Sequence, residues 1–373
     1  MGLHYYLLSS GRINVYANLF CRENLIKKQS NITTKVKIMR NISIFFLFIV
    51  TILFGCNSCN KQKETTINLR LQWIPQTQFA GYIVAKQKGF YAEEGLDVNL
   101  LPAGPDLKPH LTVANGSDQI GIGVPNQIIA VRTNGVPLVA IAQIFQDSPN
   151  RYVLKKQNHI DNLQQLKGKK VGLWIGGDEA EFVSMLNTVG MTLNDVVVVP
   201  QEFSVVPFLE DQYVISMVTV YNELNLIQQQ GYDGDKLQIL SPKDYNSAIL
   251  GDMIFCKESY LNENPETVRK FLQASIKGWK YCLEYPEEAL EIVMKYNPEL
   301  NRNEQKYMLQ ACVNMIKAGS TFTNGIGFIN ETDYANTQRI LQISRQIDKT
   351  VDIKTTFNLS AWNAIPDSIK KIQ

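Results

Sequence analysis

The stretch from Leu71 to Val98, with the run that leads into it, constrains the fold more than any other part of the chain. Ile67, Leu69, Leu71 and Trp73 alternate with polar residues, the period of a half-buried strand. Pro75 to Gln78 breaks that strand. Phe79 to Lys88 then reads as a short helix closed by Gly89, and Leu96, Val98 and Leu100 open a second strand. Strand, loop, helix and strand within about thirty residues make one βαβ unit. Trp73, Gln78, Phe79 and Tyr82 sit in or beside its loop. Aromatic rings next to an amide at the carboxyl end of a strand suit a flat polar ligand, although the same rings also suit a core.

The same alternation continues along the chain. Gln119 to Val124 reads as a buried strand, Pro125 to Arg132 as a helix and Val136 to Ile144 as a strand, which predicts an α/β lobe with a mostly parallel sheet. Around Ser148-Pro149-Asn150 the chain leaves this lobe. Strands at Tyr152–Leu154, Val171–Trp174, Val196–Val199, Tyr213–Val220 and Leu237–Leu240, with helices between, form a second α/β block. The segment Ile160 to Leu166, followed by Lys167-Gly168-Lys169-Lys170, leads into the strand at Val171. Ala248 to Cys256 reads as a strand leading back out. Helices follow at Pro265–Leu283, Pro286–Tyr296, Asn303–Ile316 and Glu331–Ile347. The fold class is α/β: two lobes, the second inserted into the first, joined by a two-crossing hinge able to close on a ligand. Residues 67–148 and 249–373 form the first lobe and 149–248 the second.

The N-terminal part reads as an address rather than as fold. Met39-Arg40-Asn41 is a short positive start and Ile42 to Phe54 an apolar run, too short for the roughly twenty residues of a membrane span. It ends in Leu53-Phe54-Gly55-Cys56, which resembles a bacterial lipoprotein signal with Cys56 as the lipidated residue. Residues 1–55 are thus upstream sequence plus signal, residues 1–38 precede a natural start at Met39, and 56–66 is a polar tether. The chain is expected to be exported and lipid-anchored to a bacterial membrane.

Seven of the 37 Lys and Arg residues but one of the 35 acidic residues lie in residues 1–55, so the body is mildly acidic and carries no nucleic-acid footprint. Cys59, Cys256, Cys282 and Cys312 show no framework spacing, and His4, His110 and His159 make no metal cluster. No hydrolase elbow, zinc-protease helix or P-loop is present.

The candidate site residues lie past the carboxyl ends of the expected strands. They are the first-loop set, Asn126, Trp174 with Gly176-Gly177, and Tyr221-Asn222-Glu223. Glu223 suits an amino-heterocycle, whose N–H groups a carboxylate accepts, or a helix N-terminal acid. Gly176-Gly177 before a helix suits an anion, or a plain turn. Asp252 faces the cleft or caps a turn.

The opening stretch, Asp118 to Gly123, Leu166 to Gly172, Tyr221-Asn222-Glu223 and Asn264 to Leu272 together resemble the NMT1/THI5-like family, which shares its fold with sulfonate-binding proteins of ABC importers. The resemblance implies the periplasmic-binding-protein type II fold. It implies either of two activities. Fungal members are thiamine pyrimidine synthases that consume pyridoxal phosphate and a histidine of their own chain. Bacterial members resemble receptors that deliver thiamine pyrimidine precursors or other small molecules to importers. The synthase lysine falls on Gly123, its histidine on Gln127, and its cysteine-rich motif on Gly251 to Cys256, where only Cys256 is a cysteine. Without the lysine there is no Schiff base. The resemblance therefore implies a monomeric receptor without cofactor that serves an ABC permease and ATPase. Its expected ligand is an aminopyrimidine-like precursor, with riboflavin and alkyl sulfonates as alternatives. Trp73 with Tyr82 or Trp174 would sandwich the ring, Gln78 and Asn126 would bond its edge, and Glu223 would read the amino group.

Overall fold

The computed structural model describes Met39 and residues 64–372. The export segment, Cys56 and most of the tether lie outside the described residues.

The first lobe is built on β1 (Thr65–Arg70), β2 (Leu96–Leu101), β3 (Ile120–Gly123) and β4 (Leu138–Gln143), linked by α1 (Ala80–Gln87), α2 (Pro109–Ala114) and α3 (Pro125–Thr133). The second lobe holds β5 (Asn150–Lys155), β6 (Lys170–Leu173), α4 (Ala180–Thr188), β7 (Val197–Pro200), β8 (Ile215–Thr219), α5 (Glu223–Gln229) and β9 (Leu237–Leu240). The chain then returns through β10 (Met253–Lys257) to the first sheet and ends in α6 (Pro265–Glu284), α7 (Pro286–Tyr296), α8 (Arg302–Ile316), α9 (Glu331–Ile343) and shorter turns.

The sheet orders are β2-β1-β3-β10-β4 and β7-β6-β8-β5-β9. β1 pairs in parallel with β2 and β3, and β6 with β7 and β8. β10 runs antiparallel to both β3 and β4, and β5 antiparallel to both β8 and β9. Four of the five strands of the first sheet run the same way, in line with the expected mostly parallel sheet; each sheet carries one reversed strand, and it is the strand that follows a crossing. The other strands deliver their carboxyl ends to the cleft. A chain arriving from the other lobe enters at that same edge and must run away from it.

The returning strand is shorter than the apolar run from Ala248 suggests, because residues up to Asp252 belong to the crossing. The Ile160–Leu166 segment holds a 3-10 turn, Leu163–Leu166. The last long helix stops at Ile343 rather than Ile347, just before Arg345 takes a left-handed φ of 59°.

The terminal helices buttress the first lobe. α6 starts with Pro265 in its first turn, and Val268, Phe271, Leu272, Ser275, Trp279 and Cys282 form its buried stripe. It lies directly on α1, where glycines meet. A Cβ on Gly278 would stand 2.0 Å from the Gly81 carbonyl oxygen, and one on Gly81 would stand 2.3 Å from the Trp279 ring. The loop between β1 and α1 is held from behind. The Thr77 amide donates to Gln305 Oε1 at 2.8 Å, the Thr77 hydroxyl donates to the Gln305 carbonyl at 2.9 Å, and Asn297 Nδ2 donates to the Pro75 carbonyl at 3.0 Å. Tertiary bonds from α8 and the turn before it thus give an irregular loop a fixed shape.

Candidate ligand-binding cleft

A cleft of about 610 Å³ opens between the carboxyl ends of the two sheets. That volume lies in the range of small-molecule sites. From the first lobe, Trp73, Gln78 and Asn126 line it; from the second, Trp174, Thr219, Tyr221, Asn222 and Glu223; from the crossings, Asn150, Ile249 and Asp252.

Eight of the candidate residues therefore share one cavity: Trp73, Gln78, Asn126, Trp174, Tyr221, Asn222, Glu223 and Asp252. Four do not line it. Phe79 and Tyr82 are core residues, 0% and 1% exposed, with Tyr82 set edge-on against Trp279 at 5.7 Å. The turn into α1 points them at the packing of α6 rather than at the cleft. Gly176 and Gly177 form a turn at φ of 115° and 125°. Their amides donate to Glu179 Oε2 at 3.0 and 2.8 Å, so the expected anion site is already filled by the chain's own carboxylate.

The floor is polar and buried. Gln78 Nε2 donates to both oxygens of Asp252, at 3.0 and 3.2 Å, while Gln76 Nε2 donates to Gln78 Oε1 at 3.0 Å. Gln78 therefore positions Asp252, and its amide is not free to bond a ring edge as expected. Burial pushes the Asp252 carboxyl up to about 7 against the Gln78 bonds. Asn126 is 6% exposed, and its Oδ1 meets no hydrogen-bond donor.

Glu223 also differs from the expectation. Its Oε2 accepts from the Thr219 amide at 3.0 Å and the Thr219 hydroxyl at 2.6 Å, and its Oε1 accepts from Asn222 Nδ2 at 2.7 Å. The carboxylate closes the β8–α5 corner and shapes the wall, with little acceptor capacity left for a ligand. Tyr221 packs its ring against the first lobe's core, and burial raises its hydroxyl well above the ordinary range.

Two lining residues were not singled out from the sequence. Phe203, 60% exposed in the loop after β7, lies 5.0 Å from Trp73 and 6.4 Å from Trp174 by ring centroids. It thus lies near both tryptophans of the expected sandwich. An isolated aromatic in the polar run Gln201–Ser204 past a strand end was the available signal. Glu181, 1% exposed on α4, accepts from Asn150 Nδ2 at 2.8 Å and from the Ile249 amide at 2.6 Å. One carboxylate thus bonds both crossings. Burial pushes it up to about 7 in spite of these bonds. A charged residue within an apolar helix stripe was its signal.

The synthase positions are filled differently. A Cβ on Gly123 would stand 2.9 Å from the Phe255 ring, so a longer side chain has no room there. Gln127 lines the cleft, and the Cys256 thiol is buried and pushed up to about 12. Cys256, Cys282 and Cys312 are all free and buried. His110 is half-buried in α2, and burial lowers its imidazole.

Comparison with known proteins places the chain. The family model described as NMT1/THI5 like matches residues 76–289. A Haemophilus influenzae protein named for thiamine biosynthesis is 29% identical over 70% of this chain and 83% of its own. The riboflavin-binding protein RibY of Chloroflexus aurantiacus is 25% identical over 78% and 84%. The formylaminopyrimidine-binding protein of Halalkalibacterium halodurans is 24% identical over 70% and 81%. Among solved structures, a sulfonate-binding protein of Methylobacillus flagellatus superposes with a TM-score of 0.63 over 81% of this chain and 93% of its own, at 16% identity. The fold is that of the periplasmic binding proteins, and the chain belongs to the NMT1/THI5-like family.

Proposed function

We propose that this member of the NMT1/THI5-like family is the solute receptor of an ABC importer and captures an aminopyrimidine-like thiamine precursor. The observation that carries the reading is the pair Trp73 and Trp174, one from each lobe, which line one cleft and both lie near the ring of Phe203, the place we take as the ring slot. A flat heterocycle takes that slot and gains stacking on both faces. Its amino group lies over acceptors, Asp252 and the Asn126 Oδ1 atom, while Glu223 holds the corner beside it. Closure of 67–148 with 249–373 onto 149–248 about the two crossings buries the ring and presents both lobes to a permease. A lipid on Cys56 tethers the receptor to the outer face of the inner membrane or its equivalent.

Synthase activity is the weaker reading, because Gly123 offers neither the lysine nor the space for one, and Gln127 stands in the histidine position. The chemistry of the walls supports capture instead.

The test is calorimetry of the purified chain with formylaminopyrimidine, riboflavin and an alkanesulfonate. Saturable binding of formylaminopyrimidine, lost in Trp73→Ala and Trp174→Ala, is the expected result. Binding of either other solute alone would replace the ligand, and a Schiff-base absorbance with pyridoxal phosphate would replace the whole reading. Palmitate incorporation that disappears in Cys56→Ser tests the anchor.

A further inference from the structure

The cleft carries a marked imbalance of charge. Asp178, Glu181, Glu223 and Asp252 line it, and Lys108 is the basic side chain among the described lining residues. Lys108 and Asp178 are exposed at the rim, whereas Glu181, Glu223 and Asp252 are buried. None of the four carboxylates forms an ion pair in the described residues. The nearby Arg151 is committed to Asp147 at 3.0 Å and to the carbonyls of Ser148 and Asn150. Glu181, Glu223 and Asp252 are held by side-chain amides, backbone N–H groups and the Thr219 hydroxyl, which satisfy hydrogen bonds without cancelling charge.

The places where an anion would settle are taken as well. Loop amides before a helix are ordinary phosphate sites. Here the Gly176 and Gly177 amides before α4 are bonded to Glu179, and the Thr219 amide before α5 is bonded to Glu223. The protein's own carboxylates stand where phosphate oxygens would. An independent feature points the same way: Asn126, 6% exposed and lining the cleft, has an Oδ1 that meets no donor. Its unused capacity is that of an acceptor, which calls for a donor on the ligand.

We propose that the cleft selects the unphosphorylated, donor-bearing form of its heterocycle and excludes phosphate esters and sulfonates. This rests on the solute-receptor reading and adds its selectivity. A phosphate entering beside these carboxylates, with Glu181 and Asp252 adding their charge as pH rises through about 7, meets like charge in a partly desolvated space, where repulsion is weakly screened. An amino group or a hydroxyl meets acceptors.

The experiment uses two matched pairs, 4-amino-5-hydroxymethyl-2-methylpyrimidine with its phosphate ester and riboflavin with its phosphate ester, titrated calorimetrically into the purified full chain. Within the ring class that binds, the alcohol is expected to bind at least about tenfold more tightly than the ester. An ester that binds as tightly as its alcohol overturns the inference. Discrimination within the flavin pair alone removes the aminopyrimidine reading and leaves the exclusion standing. Silence from all four overturns both. Asp178→Lys, an exposed change at the rim, is expected to narrow the ratio several-fold; an unchanged ratio overturns its electrostatic origin.

Discussion

Phe203 and Trp73 stand 5.0 Å apart with their rings tilted by 50°, although one belongs to the second lobe and the other to the first. The contact crosses the cleft. Stacks of this kind contribute about 0.5–1.5 kcal/mol, little enough for a better-fitting ring to displace. Phe203 is otherwise 60% exposed, so little else holds it in place.

Phe203→Ala is therefore expected to leave stability within about 1 kcal/mol of the parent and to accelerate ligand association, because the slot starts vacant. Stopped-flow tryptophan fluorescence with formylaminopyrimidine reads the rate. Slower association would make Phe203 part of the binding wall rather than its temporary occupant.

Glu223 tests a different point. Its three accepted bonds tie Thr219 and Asn222 into one corner. Removing the carboxylate in Glu223→Ala strands these part-buried donors and is expected to cost about 1–3 kcal/mol in urea unfolding. Unchanged stability with collapsed affinity would instead return Glu223 to direct ligand contact.

The alternation of strands and helices, the return to the first sheet and the corner residues Asn126, Trp174 and Tyr221–Glu223 were legible because each depends on local pattern. What was not legible depends on partners far along the chain. Trp73, Phe79 and Tyr82 lie within a few residues of one another, yet α6 arrives some two hundred residues later, covers Tyr82 with Trp279 and leaves Trp73 at the cleft. Gly176 and Gly177 read as an anion loop until Glu179 is seen to take their amides. The reversal of β10 was not legible for a similar reason: its hydrophobic run carries no sign of the edge from which it enters its sheet.

Gly278 shows how tertiary contact reverses a local rule. Gly to Ala inside a helix ordinarily gains up to about 1 kcal/mol. Here the added Cβ would stand 2.0 Å from the Gly81 carbonyl oxygen and 2.9 Å from the Ala85 Cβ. Both neighbours belong to α1, whose backbone yields only if the two helices separate. Gly278→Ala is expected to destabilise by about 1–3 kcal/mol or more, read from the urea midpoint at constant slope. A gain in stability would mean that α1 and α6 are not in close contact.

Glu181 and Asp252 make stability and binding depend on pH with opposite signs. Both carboxyls are pushed up to about 7, from ordinary values of 4.5 and 3.8, chiefly by burial. The folded chain therefore retains protons that the unfolded chain releases. Their contribution to stability is complete below the ordinary values and is lost as pH rises through about 7, at most about 3 kcal/mol for Glu181 and about 4 kcal/mol for Asp252. Glu181 faces Asn150, Ile249, Ser148 and Arg151, and Asp252 faces Gln78 and its own backbone amide. A ligand that donates hydrogen bonds prefers the ionised carboxylate, so its affinity is expected to climb over the same interval in which stability falls. Urea unfolding and calorimetric titration across that interval measure the two trends. Glu181→Gln is expected to remove its share of the stability slope, and an unchanged slope in that variant would show that Glu181 does not titrate there. It also lowers stability throughout, because an amide cannot accept from both Asn150 and Ile249 and one crossing loses its bond.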